Sequence, residues 1–442
     1  MITLRDYQER LYQKTKKAFA EGNRRVLVVA PCGAGKTFLF AKIAENTRGE
    51  VLILTHRKEL LQQTRAIISD NGINARVSMI LTEANHLGEY PKPKLIITDE
   101  AHLSRSNSWV KVLDYYDTFV CGFTATPVRL DGKPLGDIYN TIVQDISVKW
   151  LIENKRLAPF EYYAPTAVET DGLRKQAGDF VISDMEKIMT ERAIYSDVLK
   201  SWTTLAKGQK TIAYCVSINH AKETAEMFNK AGYKAVAIDS TTPEKKREEI
   251  MSRFRDGEIT ILCNVGIISE GISIDDVSCC LLLRPTESHA LYWQQAMRCM
   301  RYQPNKTAII IDCVGNYTRN PLPNANVEWS LTQTAKKRPI FSESGDFYIR
   351  TCPTCFRAFK TASVCPYCGA NYPLHPREIK AKADIELQRI TQEEAEKAEQ
   401  ERKRLRREQG QARTFEELLA IGRKRGIKNP SYWANCILRS RK

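Results

Sequence analysis

No run in these 442 residues approaches the ~18 consecutive apolar side chains of a membrane span, which argues against a helical membrane protein. The opening Met1-Ile2-Thr3-Leu4-Arg5-Asp6 has neither a long apolar core nor a cleavage pattern, so a secretory signal is not expected. Histidine is scarce, with six in all, and the other five show no metal-ligand spacing around His102. Acid is in deficit: 52 Asp and Glu face 67 Lys and Arg, leaving a formal charge of +15. Such a surplus indicates a polyanionic partner, or serves solubility alone. Cysteine is not scarce, but its count of thirteen is odd. Nine are scattered, mostly in apolar stretches (Cys215, Cys263, Cys279, Cys280, Cys313), as reduced thiols are in a cytosolic core. With 43% hydrophobic and 27% charged residues the chain is ordinary globular material, and its length suggests about three domains.

The apolar residues come in short continuous runs: Val26–Val29, Val51–Leu54, Leu95–Thr98, then Thr211–Cys215, Ala235–Ile238, Ile259–Leu262, Cys280–Leu283 and Ala308–Ile311. Each is followed by a polar loop and an amphipathic stretch, the pattern of buried parallel strands in βα units. Two α/β domains in tandem account for it, 1–157 and 158–335, joined near Leu157-Ala158-Pro159. Paired cysteines mark a third unit at 345–375. Residues 376–410 are dense in charge and sustain no apolar heptad, so they are expected as a solvated helix or linker rather than a coiled coil. At 411–442, Thr414-Phe415-Glu416-Glu417 has the form of a capping box, Gly426 would end that helix, and a second would carry Tyr432, Trp433 and Ile437. Tyr432 and Trp433 suit a miniature core better than a base-stacking platform. From 376 onward 18 Lys and Arg stand against 11 Asp and Glu, so seven of the surplus charges lie in this tail.

Ala30-Pro31-Cys32-Gly33-Ala34-Gly35-Lys36-Thr37 lies between a strand run and the apolar Phe38-Leu39-Phe40. That is the strand, loop and helix setting of a phosphate loop rather than of an ordinary Gly-rich turn. Glycines let the backbone curl its N–H groups onto phosphate oxygens, and the helix start adds its positive end. Lys36 would meet the β- and γ-phosphates of ATP, and Thr37 would offer a hydroxyl to Mg²⁺. Asp99-Glu100-Ala101-His102 follows the strand Leu95–Thr98. An acid there can hold Mg²⁺ beside Thr37, and Glu100 can orient and deprotonate the attacking water. Adjacent acids alone are common surface features; paired with a phosphate loop they point to hydrolysis.

Cys352-Pro353-Thr354-Cys355 and Cys365-Pro366-Tyr367-Cys368-Gly369 are two CxxC knuckles nine residues apart. Four thiolates on that spacing converge tetrahedrally on a structural Zn²⁺, and a cytosolic setting disfavours the disulfide alternative. Arg357, Phe359, Lys360 and Tyr367 could contact phosphates and bases, or could equally be the module's core and rim.

Together these residues resemble superfamily 2 helicases over roughly residues 3–330. Leu4-Arg5-Asp6-Tyr7-Gln8 is similar to the family's adenine-reading motif, which implies Gln8 on the base edge and Arg5 near its face. Leu54 to Leu60 resembles motif Ia and implies nucleic-acid contacts by His56 and Arg57. Gly122-Phe123-Thr124-Ala125-Thr126-Pro127 resembles motif III, implying that Thr124 and Thr126, with His102, couple hydrolysis to movement. Asn264 to Asp275 resembles motif V, with Gly271 at the nucleotide. Gln294 to Arg301 resembles motif VI, with Gln294 at the nucleotide and Arg298 and Arg301 as arginines reaching the γ-phosphate. Two positions depart from the pattern: Met297 replaces the usual motif VI glycine, and Ser273 replaces the motif V aspartate, with Asp275 and Asp276 displaced downstream.

The resemblance implies two RecA-like parallel-sheet lobes, followed by a zinc-ribbon-like module and a helical basic tail. Arg284-Pro285-Thr286, the Asp-Glu-Ala-His box and the cysteine-rich module look most like RadD-type repair helicases and their phage-encoded relatives. Phe415-Glu416-Glu417-Leu418 and Tyr432-Trp433-Ala434 add to that likeness. It implies a bacterial or phage-infected host cytosol, single-stranded, forked or branched DNA as partner, and single-strand-binding or recombination proteins as associates. An RNA helicase of the DEAH kind shares the motor motifs and stays open, as does a remodeller that separates no strands. A restriction-enzyme motor subunit would need a nuclease acid–lysine cluster, and none is recognisable.

Overall fold

A computed structural model describes residues 2–127 (without 105), 135–164, 192–267 and 276–332 (without 326 and 328). It also describes short pieces at 175–176, 179–180, 185, 349–351, 358–360 and 388–390, and parts of 400–437. Strands β1 (Arg25–Val29), β2 (Val51–Thr55), β3 (Ala75–Met79), β4 (Leu95–Thr98), β5 (Phe119–Thr124) and β6 (Thr141–Gln144) form one parallel sheet, in the order β3-β2-β4-β5-β1-β6. Its central strands are buried along nearly their whole length, as continuous Val, Ile and Leu runs covered on both faces must be.

Strand β7 (Phe160–Ala164) follows the Leu157–Pro159 connector and already belongs to the second sheet. The short antiparallel pair β8 (Lys175–Gln176) and β9 (Asp179–Phe180) comes next. The second sheet takes up β10 (Thr211–Tyr214), β11 (Ala235–Ile238), β12 (Ile261–Asn264), β13 (Cys279–Leu282) and β14 (Ala308–Asp312). After β15 (Ile349–Thr351) and β16 (Ala358–Lys360), which pair antiparallel, β17 (Gln388–Ile390) closes its edge. The order is β11-β12-β10-β13-β14-β7-β17, parallel except for β17. The charged stretch expected as helix or linker therefore contributes a sheet strand: three backbone pairings to Tyr162, Tyr163 and Ala164 satisfy an otherwise open edge.

One apolar core runs through both lobes, containing Val28 and Phe123 from the first, Leu157 from the connector, and Tyr214 and Leu282 from the second. Leu157 pairs with Arg301 in an antiparallel bridge, and Ala158 N–H donates to the Met300 carbonyl at 2.8 Å. The chain crosses back once more. Beyond β14, Trp329 packs on His289 and Trp293 of the second lobe. Two residues later Leu331 lies against the first lobe's core, its carbonyl accepting from Gly136 N–H at 3.1 Å. Asp179 ties the β8–β9 pair to the Arg284-Pro285-Thr286 turn, accepting from Thr286 Oγ1 and Glu287 N–H, each at 2.9 Å.

Near the C-terminus the helix Phe415–Lys424 carries the capping box read from the sequence: Glu417 N–H donates to Thr414 Oγ1 and Thr414 N–H to Glu417 Oε2. Trp433 is buried with Leu418, Ala434 and Ile437 in a small core of its own, while Gly426 and Tyr432 lie outside the described residues. Cys121, Cys215, Cys263, Cys279, Cys280 and Cys299 are buried thiols without disulfides. Among the described residues no helix is long and apolar enough to cross a membrane.

Candidate nucleotide site at the junction of the lobes

Strand order places the chemistry. Strand β5 lies between β4 and β1, with Val29 level with Thr124 and Thr98 level with Gly122. The phosphate loop, the acidic turn and the Thr124–Thr126 segment therefore leave the sheet side by side. Gly33 and Gly35 turn the loop at φ of 81° and 74°, where a side chain is penalised. Space requires them as well: a Cβ on Gly35 would stand 2.5 Å from Gln8 Nε2, and one on Gly33 3.0 Å from Leu157 Cδ2. Gly35 caps the helix Lys36–Glu45, which is anchored on β5 by Phe40 against Phe123, ring centroids 4.6 Å apart.

Lys36 Nζ lies 3.3 Å from Glu100 Oε1. Burial disfavours its charge, but the Glu100 and Asp99 carboxylates more than offset this and hold the ammonium above its ordinary pKa range. Asp99 Oδ1 accepts from Glu100 N–H at 2.9 Å, and both acids are buried. Glu100 sits at φ 48°, ψ 52°, a left-handed conformation that costs a non-glycine residue about 1–2 kcal/mol and persists only where the surroundings impose it. Its Oε2 is buried and accepts no hydrogen bond from the described residues, although His102 Nδ1 lies 3.3 Å away. The same His102 nitrogen is 3.1 Å from Thr124 Oγ1, which in turn bonds the Thr126 carbonyl and N–H. The phosphate-loop lysine, the acidic turn and the Thr-Ala-Thr segment thus form one connected polar chain.

Gln8 stands against the phosphate loop. Its Nε2 donates to the carbonyls of Ala34 at 2.9 Å and Gly35 at 3.3 Å, and its Oε1 accepts from Arg5 N–H. Tyr7 OH also donates to the Ala34 carbonyl. Gln8 therefore braces the phosphate loop, while Arg5 is exposed at the start of the helix Asp6–Ala20. Thr37 lies in the first turn of the Lys36–Glu45 helix.

From the second lobe, the helix His289–Ala296 runs into a tighter turn, Met297–Met300, with Gln294 buried and Arg298 and Arg301 half-buried. Met297 fills apolar core space, so a large residue suits the position. The Arg301 backbone bridges Leu157, whose side chain abuts Gly33. Tyr214 at the end of β10 is fully buried, with no partner for its hydroxyl among the described residues. Burial and Cys280 push this phenol well above its ordinary range, Arg298 opposes the shift, and Cys32 of the phosphate loop also acts on it. That places Tyr214 among groups from both lobes.

Arg57 Nη1 donates to the Gly266 carbonyl at 3.3 Å, and Lys58 Nζ pairs with Glu244 at 2.8 Å, both across the junction. His56 is half-buried at the end of β2. Asp276 pairs with Lys210 at the opposite end of the second sheet. Gly271, Ser273, Asp275, Cys352, Cys355, Cys365 and Cys368 lie outside the described residues. Sequence reading missed Tyr214 and Tyr139. The latter's ring fills the space beside Gly122, where a Cβ would come within 2.4 Å of its hydroxyl; the motif glycine was the only signal of a neighbour that close.

The sequence matches the family described as Helicase conserved C-terminal domain over residues 193–303. Over residues 1–86 and 77–129 it matches the family described as Type III restriction enzyme, res subunit. A Lactococcus phage protein, named only as a 51.5 kDa protein, is 35% identical over 377 residues, covering 83% of this chain and 82% of that one. The DNA 3'-5' translocase XPB2 of Sulfurisphaera tokodaii is 26% identical over 368 residues, 71% of this chain and 82% of the relative. Two yeast relatives are longer, and the chain spans 51% and 57% of their lengths. A fragment described as an HsdR subunit of a type I restriction enzyme from Vibrio vulnificus has the same two-lobed fold. Its TM-score is 0.59 at 20% identity, over 74% of this chain and 67% of that one. With each lobe matched by its own family and a relative at 35% identity aligned across most of both chains, the protein belongs to the superfamily 2 helicases and hydrolyses ATP.

Proposed function

We propose that the chain is a DNA motor, a helicase or translocase of repair, recombination or phage replication, with residues 1–157 and 158–335 as its two lobes. The polar chain from Lys36 through Glu100 and His102 to Thr124 carries this reading, because it links the nucleotide site to the segment that would report hydrolysis. Thr37 and Asp99 fit Mg²⁺: a hydroxyl in the first turn of a helix and a buried carboxylate at a strand end, beside a loop curled for phosphate. When bound, Mg²⁺ neutralises charge on the phosphate oxygens.

Lys36 holds the β- and γ-phosphates. Glu100 orients water with its unused Oε2 and takes the proton as the new O–P bond forms and the bond to ADP breaks. Arg298 and Arg301 approach from the other lobe, so charge neutralisation depends on lobe closure. By the resemblance, Gln294 and Gly271 would contact the nucleotide from the second lobe. A DNA substrate is supported by the relative named a DNA translocase and by the surplus of positive charge, with His56 and Arg57 at the strand's backbone. ATPase rates without nucleic acid, then with single-stranded, duplex and forked DNA and with RNA, test the proposal. Strong, salt-sensitive stimulation by DNA alone is expected. Equal stimulation by RNA would move the assignment to an RNA helicase. ATP consumption with no strand released from a fluorescent duplex would leave a translocase or remodeller.

We also assign Cys352, Cys355, Cys365 and Cys368 to one structural Zn²⁺. The support is the spacing: two CxxC pairs nine residues apart offer four thiolates, the donor set of a closed structural zinc site. Cys365→Ser is expected to release zinc to a colorimetric chelator while ATPase persists in part. Complete loss of ATPase would show that the module is not separate from the motor.

A further inference from the structure

Tyr139 belongs to none of the recognised motifs, yet it touches both ends of the acidic turn. Its hydroxyl lies 3.1 Å from Thr98 Oγ1 and 2.8 Å from Ser104 Oγ. Thr98 immediately precedes Asp99, and Ser104 immediately follows the short helix Ala101–Leu103. One phenol therefore brackets residues 99–103, the turn in which Glu100 holds its left-handed backbone. The ring is fully buried and enters beside Gly122. Its own backbone is fixed by a hydrogen bond from Tyr139 N–H to the Leu135 carbonyl, next to the Gly136 contact with Leu331.

We propose that Tyr139 is a positioning residue for ATP hydrolysis, clamping the two ends of the acidic turn so that Glu100 keeps its carboxylate on the attacking water. One hydroxyl proton and two lone pairs suffice for both contacts. Burial pushes the phenol up to about 12, so it remains a neutral donor across the working range. Glu100 itself need not move far to lose function, since a general base works only within hydrogen-bond reach of its proton. The proposal rests on the reading of Glu100 as the base.

Tyr139→Phe keeps the ring that fills the space by Gly122 and removes only the clamp. Its kcat should fall about tenfold, the net scale of two lost buried hydrogen bonds, with KM for ATP unchanged. Ser104→Ala, which leaves the tyrosine in place, should lower kcat in the same way by a smaller factor, and serves if the first variant folds poorly. In a Glu100→Gln background Tyr139→Phe should cost nothing further, because the group it positions is already gone. A general structural role would instead add its loss to that of Glu100→Gln, and would overturn the proposal. Wild-type kcat in Tyr139→Phe, with Glu100→Gln inactive, overturns it alone. Wild-type turnover by Glu100→Gln would remove the base reading on which it rests.

Discussion

Glu100→Gln is expected to bind ATP as the wild type does and to hydrolyse it roughly 10²–10⁴-fold more slowly, the range a positioned general base contributes. Glutamine keeps the shape of the side chain and can still accept a hydrogen bond from Lys36 Nζ, 3.3 Å away in the wild type. What it loses is basicity at Oε2, the buried oxygen that accepts no hydrogen bond from the described residues. A fluorescent nucleotide titration measures the binding, and single-turnover release of phosphate measures the chemistry. Wild-type turnover would remove Glu100 from the role assigned to it, and joint loss of binding and turnover would make it a structural partner of Lys36.

Lys36→Ala should abolish turnover and weaken ATP binding together. Losing one preorganised electrostatic contact to the reacting group typically costs about 10²–10³ in kcat. Here a second penalty adds to it. The lysine is the cation that stabilises the buried Glu100 and Asp99 carboxylates. Without it the two buried acids and the incoming phosphates lose that cation's share of the charge compensation. Steady-state phosphate release at saturating ATP checks the first effect, and the nucleotide titration the second. Turnover within a few-fold of wild type would place the phosphate site elsewhere.

The motor was legible in the sequence where its chemistry is local. Gly33 to Thr37 is contiguous, and the strands before it and before Asp99 are continuous apolar runs, so loop, helix and acid could be placed without coordinates. Adjacency was not legible. The β4-β5-β1 order brings Thr124 between two elements far apart in the chain, and only the family resemblance suggested that it belonged with them. Tyr139 is 41 residues from Thr98 and carries no motif. Gln8 is the instructive case: the resemblance marked the residue, and only the fold shows its amide bonded to the phosphate loop's own carbonyls. The strand Gln388–Ile390 escaped notice because the sheet edge of Tyr162–Ala164, and not the strand's own side chains, selects it. The charged surroundings gave the opposite signal.

The return of the chain from Trp329 to Leu331 has a mechanical consequence. Two bodies joined by a single swivel can twist, tilt and swing independently. Here covalent chain crosses at Leu157–Ala158 and again before Leu331, each crossing seated by a backbone hydrogen bond, Ala158 to Met300 and Gly136 to Leu331. These two crossings, and the further return of the chain from Leu331 to β17 in the second sheet, hold the lobes against independent twisting and favour a swing that opens and closes the cleft. Each opening and closing would then retrace one arc, and repeated strokes would return the arginines to the same place.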